Sequence, residues 1–160
     1  MPDRRCHISL ASPDETAALA TRIGARLRPG DVLLLAGGIG AGKTHFARSL
    51  IRSLQDAPED VPSPTFTLVQ SYDTRAGELW HSDLYRLSHA DEVIELGLEE
   101  AFETSICLVE WPDRLGELAP ANALWLRFGQ GTSEEARDLT LEWSDARWDA
   151  LIGEVRDAAA

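Results

Sequence analysis

The sequence predicts an α/β domain of three layers, in which helices cover both faces of a mixed, mainly parallel sheet. A continuous apolar run at Val32–Ala36 is typical of a strand that is buried on both faces. Helical patterns lie on either side of this run, and hairpin-like strands follow later in the chain. The length of 160 residues fits one domain, so we assign residues 1–160 to a single unit.

The amino-terminal part begins with a strand and a capped helix. Residues 7–10 alternate in polarity and predict a short strand. Ser12 is placed to cap a helix, with Pro13 at its first position and Glu15 three residues after the cap. The apolar positions that follow recur near a period of 3.6, and Arg28-Pro29-Gly30 ends the helix.

The middle of the chain predicts a helix, a loop and a hairpin. A helix over 43–54 has one apolar face, and three prolines mark a loop over 58–64. Residues 65–72 are rich in Thr, Val and aromatic residues and predict a strand, which turns at 73–77 and pairs with a strand at 78–82.

The carboxyl-terminal part predicts one more buried strand and a closing hairpin. In chain order we expect a helical region at 91–102, a strand at 105–109 that ends at Glu110, strands near 124–128 and 139–143, and a final helix that Ser144 caps and that runs to about residue 155.

Composition limits the class of function. The net charge is −12 and no basic stripe occurs, which argues against direct binding of nucleic acid, because phosphate contacts dominate that affinity. No apolar run approaches the roughly 20 residues of a membrane span, and the apolar stretch near the start is too short for a secretory signal, so we expect a cytoplasmic protein. Cys6 and Cys107 are interpreted as buried apolar residues. The acidic stretch at 91–103 is either a solvated helix face or a docking surface for a basic partner.

A glycine-rich motif between the apolar strand and the next helix predicts a phosphate-binding loop. Residues 37–44, GGIGAGKT, match G-x-x-x-x-G-K-[ST]. Its glycines allow backbone N–H groups to surround phosphate oxygens, and the helix amino terminus points at the same anion. Lys43 is expected to reach the β- and γ-phosphates and Thr44 to bind Mg²⁺. Lys43 is the only lysine in a chain with 14 arginines, which suggests a site that needs a compact ammonium.

Two carboxylates are candidates for holding Mg²⁺. Glu110 ends the buried strand, and Asp83 follows the second hairpin strand; periodicity does not rank them. His81 shares a strand face with Asp83 and is interpreted as a satisfied polar residue near the nucleotide. Thr65, in the segment Ser63-Pro64-Thr65-Phe66-Thr67, lies where a switch loop is expected, although a proline-braced turn is the alternative.

Four motifs in this order resemble the bacterial TsaE family, also called YjeE. They are the glycine-rich loop, SPTFTLV at 63–69, HSDLYRL at 81–87 and LVEWP at 108–112, and the resemblance spans about residues 9–114. It implies a P-loop NTPase-like fold, weak hydrolysis of ATP, and action with the TsaB and TsaD proteins in forming N6-threonylcarbamoyladenosine at position 37 of tRNAs that read codons beginning with A. The tRNA is then reached only through the complex.

The resemblance also implies residue roles. Lys43 binds phosphate, Thr44 and Glu110 hold Mg²⁺, Asp83 assists at the metal or water, and Thr65 belongs to the switch loop. His45 stands where the family often has Thr, which alters the expected contact to the α-phosphate. The expected nucleotide-binding set is Gly37, Gly40, Ala41, Gly42, Lys43, Thr44, His45 and Trp111, and the expected catalytic set is Lys43, Thr65, Asp83 and Glu110.

Two other functions fit the same loop. A small-molecule kinase is one, although no arginine-dense lid segment occurs. A nucleotide-dependent interaction module without significant turnover is the other. The absence of a guanine-reading NKxD motif favours ATP over GTP.

Overall fold

The computed structural model describes residues 2–38, 40–56, 61, 68–89 and 91–159. Within them the chain forms strands and helices that alternate early and pair as hairpins later, as the sequence predicts. In order these are β1 (Arg4–Leu10), α1 (Pro13–Gly24), β2 (Val32–Ala36), α2 (Lys43–Leu54), β3 (Val69–Thr74), β4 (Gly77–Asp83), α3 (Asp91–Glu95), α4 (Leu98–Thr104), β5 (Ile106–Glu110), β6 (Leu124–Gln130), β7 (Arg137–Trp143) and α5 (Asp149–Ala159), with 3₁₀ turns at Pro112–Leu118 and Ala146–Trp148.

The strands of the described residues form one seven-stranded sheet in the order β1-β7-β6-β2-β5-β4-β3. The central pairings β6-β2, β2-β5 and β5-β4 are parallel, and the pairings on either side are antiparallel. The sheet is therefore mixed, as expected, and its parallel part is the centre. Because β2, β5 and β4 run in one direction, their carboxyl ends meet at one edge of the sheet.

Two apolar cores confirm the three layers. One core, on the α1, α2 and α5 side, includes Leu33, Leu35 and Phe46. The other, on the α3 and α4 side, includes Leu34 and Val109. Every residue of β2 and β5 is buried, which explains their continuous apolar sequences, since a strand covered on both faces has no polar side.

The start of the first helix and the cysteines match their predictions, whereas the helix ends at Gly24, before the predicted stop at Arg28-Pro29-Gly30. The Ser12 hydroxyl accepts from the Glu15 backbone N–H at 3.3 Å, and the Glu15 carboxylate accepts from the Ala11 N–H at 3.1 Å. Cys6 and Cys107 are both buried. Burial, with a smaller contribution from the charge of Glu78, raises the pKa of the Cys107 thiol to about 12.

Several predicted boundaries were wrong. The hairpin strand β3 runs to Thr74, two residues past its predicted end, while the loop at 58–64 and the start of that strand lie almost wholly outside the described residues. The helical region at 91–102 is two helices, because Gly97 adopts a left-handed φ of 81° between them. Ser144 does not cap the final helix; Asp145 caps a 3₁₀ turn before it, and its carboxylate accepts from the Arg147 N–H.

None of the helices in the described ranges is long and apolar enough to cross a bilayer.

Candidate functional site

A cavity of about 500 Å³ lies at the sheet edge where the parallel strands end. The segment between β2 and α2, with the start of α2, forms one wall, and the last residues of β4 and β5 with those that follow them form the other. Its lining consists of Gly40, Ala41, Gly42, Lys43, Thr44, His45, Asp83, Tyr85, Glu110, Trp111 and Arg137. The structure thus brings together nearly all of the residues that the sequence motifs singled out. Thr65 lies outside the described residues.

The glycines of the loop are required by its backbone. Gly37 and Gly42 have φ values of 142° and 105°, which residues with a side chain rarely adopt. A Cβ on Gly37 would lie 2.7 Å from the carbonyl oxygen of Phe128, so β6 packs directly against the loop there. Gly42 also precedes the first residue of α2, so the loop leads straight into the positive end of that helix.

Lys43 lies at the centre of the loop and is buried, with 5% of its surface exposed. Its ammonium donates to the carbonyl oxygens of Gly37 and, at 2.9 Å, of Gly38. The same ammonium lies 3.9 Å from the centre of the Trp111 ring, a cation–π contact. Burial lowers the pKa of Lys43, and the nearby carboxylates, first that of Glu110, oppose that shift.

Glu110 connects the two walls of the cavity. Its Oε1 accepts a hydrogen bond of 2.7 Å from the Thr44 hydroxyl, and its Oε2 lies 2.7 Å from Nε2 of His81. Glu110 is 2% exposed and His81 is fully buried. An ionised carboxylate only accepts, so Nε2 of His81 donates to Glu110, whereas Nδ1 has no hydrogen-bond partner among the described residues. His81 is therefore a polar residue of the site that orients Glu110, but it is not fully satisfied as expected, because only one of its two ring nitrogens has a partner among the described residues.

Asp83 lies beside Glu110 rather than in competition with it. The parallel register of β4 and β5 pairs these two residues, so both strand ends bring a carboxylate to the cavity. Oδ1 of Asp83 accepts from the Tyr85 backbone N–H at 3.0 Å. The two candidates that the sequence could not rank are thus neighbours in one site.

The set of oxygen donors fits Mg²⁺. Thr44, Glu110 and Asp83 supply a hydroxyl and two carboxylates, the ligand type that Mg²⁺ prefers. The part of the chain that the structure describes contains no group of three or more His, Cys, Asp or Glu side chains arranged to hold a metal. A magnesium ion here would therefore also need oxygens from water and from a bound phosphate.

Trp111 and Tyr85 form the rim of the cavity. Trp111 has a left-handed backbone with φ of 58°, which turns the chain directly after β5. Its ring packs on that of Tyr85 with centroids 4.8 Å apart. The sequence placed Trp111 beside the nucleotide, but it gave Tyr85 no role. The exposure of Tyr85, at 42%, becomes visible only in the fold.

His45 contacts a different partner from the one expected, and Arg137 joins the site although the sequence gave it no role. The His45 ring lies 2.9 Å from the carbonyl oxygen of Pro13, so its side chain binds the start of α1. Arg137, which the sequence did not single out, reaches the loop from β7. No local motif marks it, since it becomes a neighbour of the loop only through the order of the strands.

A family model described as "Threonylcarbamoyl adenosine biosynthesis protein TsaE" matches residues 10–139, beyond the point near 114 where the resemblance was expected to end. A protein of Rickettsia bellii (strain RML369-C), named tRNA threonylcarbamoyladenosine biosynthesis protein TsaE, is 40% identical over 111 residues, which cover 69% of this chain and 77% of that one. The protein of the same name from Bacillus subtilis (strain 168) is 37% identical over 145 residues, which cover 90% and 89% of the two chains.

A solved structure has the same fold. The crystal structure of Bacillus subtilis YdiB superposes with a TM-score of 0.78 at 29% sequence identity, and the match covers 98% of this chain and 97% of that one.

Proposed function

The chain belongs to the TsaE family, and from that premise we propose that it binds ATP with Mg²⁺ in this cavity and hydrolyses it slowly. We further propose that the hydrolysis supports formation of N6-threonylcarbamoyladenosine at position 37 of tRNAs that read codons beginning with A. The names of the relatives support the pathway. The residues of the cavity support the chemistry.

One observation carries the proposal of a triphosphate site. A glycine loop, the head of α2, the buried Lys43 ammonium and the linked pair of Thr44 and Glu110 all converge on one cavity. The loop and the helix offer N–H groups and partial positive charge to phosphate oxygens. Lys43 gives a positive charge, and the contacts that its ammonium would exchange for phosphate, among the described residues, are with the carbonyl oxygens of Gly37 and Gly38 and the ring of Trp111.

The residues for the metal divide into two roles. Thr44 and Glu110 already contact each other, so we assign both to Mg²⁺. Asp83 lies next to Glu110 and is assigned to hold the attacking water or a water on the metal. A bound Mg²⁺ neutralises charge that develops on the phosphate oxygens. Thr65, in the segment outside the described residues, keeps its proposed place in a switch loop.

Within the cavity the protein groups bind the phosphates, orient the Glu110 carboxylate and cover the Lys43 ammonium. Lys43 and the loop hold the phosphates, and His81 fixes the direction of the Glu110 carboxylate. Trp111 covers the Lys43 ammonium on one side through its cation–π contact. Such a set positions a water and a phosphate but adds little general acid or base, which is consistent with slow intrinsic turnover.

The partners that we propose are the TsaB and TsaD proteins. The net charge of −12 makes direct binding of tRNA unfavourable, so the tRNA is reached through the complex. The surface of α3 and α4 is the proposed docking face, because it combines carboxylates with the exposed apolar side chain of Ile94.

Co-purification with TsaB and TsaD, with and without Mg·ATP, tests the partnership, and phosphate release measured on the same samples tests the hydrolysis. We expect a complex whose amount depends on ATP, together with inorganic phosphate as the product. A phosphorylated small molecule instead of phosphate would support a kinase, and ATP binding without any turnover in the complex would support an interaction module.

A further inference from the structure

Among the described residues that line the cavity, Arg137 carries a permanent charge that the proposed chemistry does not use. It begins β7, and its guanidinium donates to four backbone carbonyl oxygens. Two belong to the phosphate loop, that of Ala41 at 3.0 Å from Nε and that of Gly40 at 3.2 Å from Nη2. The other two, of Glu134 and Ala136, lie 2.7 and 2.8 Å from Nη1. One side chain therefore ties the loop between β6 and β7 to the phosphate loop.

The bonds to the phosphate loop fix the direction of its peptide groups. In a trans peptide the N–H points away from the C=O of the same unit. When Arg137 holds the Ala41 carbonyl, it also sets the direction of the Gly42 N–H on the opposite side of that peptide. The glycines leave this loop with many accessible conformations, so an external contact that selects one of them lowers the cost of ordering the loop around phosphate.

The contact needs an arginine rather than any positive charge. A guanidinium is a rigid, planar group with five N–H donors, so it can hold carbonyls in two segments at once, whereas an ammonium is a compact point charge. The side chain also packs on the loop: its Cγ and Nε lie 3.9 and 3.8 Å from where a Cβ on Gly42 would be. The two donor side chains within residues 37–44 are used elsewhere, since Lys43 donates to the carbonyls of Gly37 and Gly38 and Thr44 donates to Glu110.

The charge of Arg137 also enters the balance of the cavity. The lining holds two carboxylates, Asp83 and Glu110, and two basic side chains, Lys43 and Arg137. Without Arg137 this lining would be net negative before a metal binds, which is unfavourable for a polyanion. Its guanidinium therefore contributes both to the shape and to the potential of the phosphate site.

We propose that Arg137 is a positioning residue for phosphate binding, which holds the loop in its phosphate-accepting form through the carbonyls of Gly40 and Ala41. This inference rests on the proposed binding of ATP and deepens it. Because Arg137 acts on the loop, it affects the phosphate chain of any ligand and does not select the base. Arg137 stabilises bound substrate and transition state equally, so its loss should raise KM far more than it changes kcat.

The test compares Arg137→Gln, Arg137→Lys and the wild-type chain by calorimetric titration with Mg·ATP and with inorganic tripolyphosphate plus Mg²⁺. Arg22→Gln is the matched control, because it removes the same charge from an exposed position on α1 that does not line the cavity. We expect Arg137→Gln to weaken both ligands by at least about tenfold, the scale of hydrogen bonds that involve a charged group. Arg137→Lys should recover less than half of that loss on a logarithmic scale, and Arg22→Gln should bind as the wild type does.

Three results would overturn the inference: unchanged affinity of Arg137→Gln, a loss for ATP that tripolyphosphate does not share, or full recovery by Arg137→Lys, which would reduce the role to bare charge. If Arg137→Gln does not fold, the Lys variant alone decides, since wild-type affinity in it contradicts the need for a guanidinium. Lys43→Ala distinguishes failure of the proposed ATP site from failure of the positioning role of Arg137. A wild-type chain that does not bind ATP contradicts the proposed function itself, whereas binding that depends on Lys43 but not on Arg137 contradicts only the positioning role.

Discussion

Replacing Glu110 with glutamine separates nucleotide binding from hydrolysis. The carboxylate is 2% exposed and is held between Thr44 and His81 by two contacts of 2.7 Å. Glutamine has nearly the same shape, so Glu110→Gln removes one buried negative charge and leaves the volume of the side chain unchanged. The affinity for metal-free ATP should then rise, whereas hydrolysis of ATP in the presence of Mg²⁺ should fall.

The size of each response follows from the burial of the charge. Two unit charges near a protein surface interact by about 4 kcal/mol at 4 Å and by about half of that at twice the distance. Loss of the repulsion between Glu110 and the phosphates should therefore strengthen binding of metal-free ATP by about 1–2 kcal/mol, or about five- to thirtyfold. With Mg²⁺, the variant lacks a proposed metal ligand, so phosphate release should fall at least about 100-fold, as for loss of one charge-stabilising group.

Calorimetry in EDTA and in Mg²⁺, combined with single-turnover phosphate release, measures both effects. Glu142→Gln is the matched control, because Glu142 is another carboxylate of low exposure, at 9%, but lies on β7 and does not line the cavity. Its turnover should equal that of the wild type. Wild-type phosphate release in Glu110→Gln, or an unaltered dependence of ATP binding on Mg²⁺, would refute the assignment of Glu110 to the metal.

Two further predictions concern stability. Gly37→Ala should lower the free energy of unfolding by about 2–4 kcal/mol in urea titrations, because its Cβ would lie 2.7 Å from the Phe128 carbonyl oxygen at a φ of 142°. Gly38→Ala is the control, since a Cβ there meets nothing within 4 Å. Equal urea midpoints for the two variants would contradict the prediction and show that the loop can move away from β6. Burial raises the pKa of Glu142, but hydrogen bonds and charges from two arginines outweigh it, so the net pKa lies below its ordinary value of 4.5. The resulting stabilisation is present above pH 4.5 and is lost as the pH falls through the lowered folded pKa. In urea titrations run from about pH 6 to about pH 2, Glu142→Gln should therefore lose less free energy of unfolding than the wild type. Parallel pH profiles of the two proteins would contradict this.

Local patterns were sufficient to predict the centre of the site. Residues 37–44 carry their own backbone requirements, and Glu110 ends a strand whose burial can be read from its apolar sequence. The pairing of Asp83 with Glu110 could not be predicted, because it depends on which strands are neighbours in the sheet. Arg137 was missed for the same reason: it begins the antiparallel strand beside β6, and nothing near it in the sequence distinguishes it from the other arginines.

Element boundaries failed where several residues compete for one role. Ser144 and Asp145 are both good caps, and the fold uses the Asp145 carboxylate for the turn while Ser144 accepts from the backbone N–H of Asp3. Gly97 interrupts a helical pattern that otherwise continues, and its left-handed backbone lets α4 begin in a new direction. Composition alone does not show which candidate the tertiary packing selects.

The most direct test of the account is the affinity of Mg·ATP for the wild-type chain and for Lys43→Ala, measured side by side by calorimetry. The buried ammonium exchanges its contacts with Gly37 and Gly38 for phosphate oxygens, so the net gain is smaller than the full charge interaction. We expect saturable binding in the wild type and a loss of about 2–4 kcal/mol, or about 30- to 700-fold, in the variant. Equal affinities in the two proteins, or no binding by the wild type, would contradict the central claim that this loop is a triphosphate site.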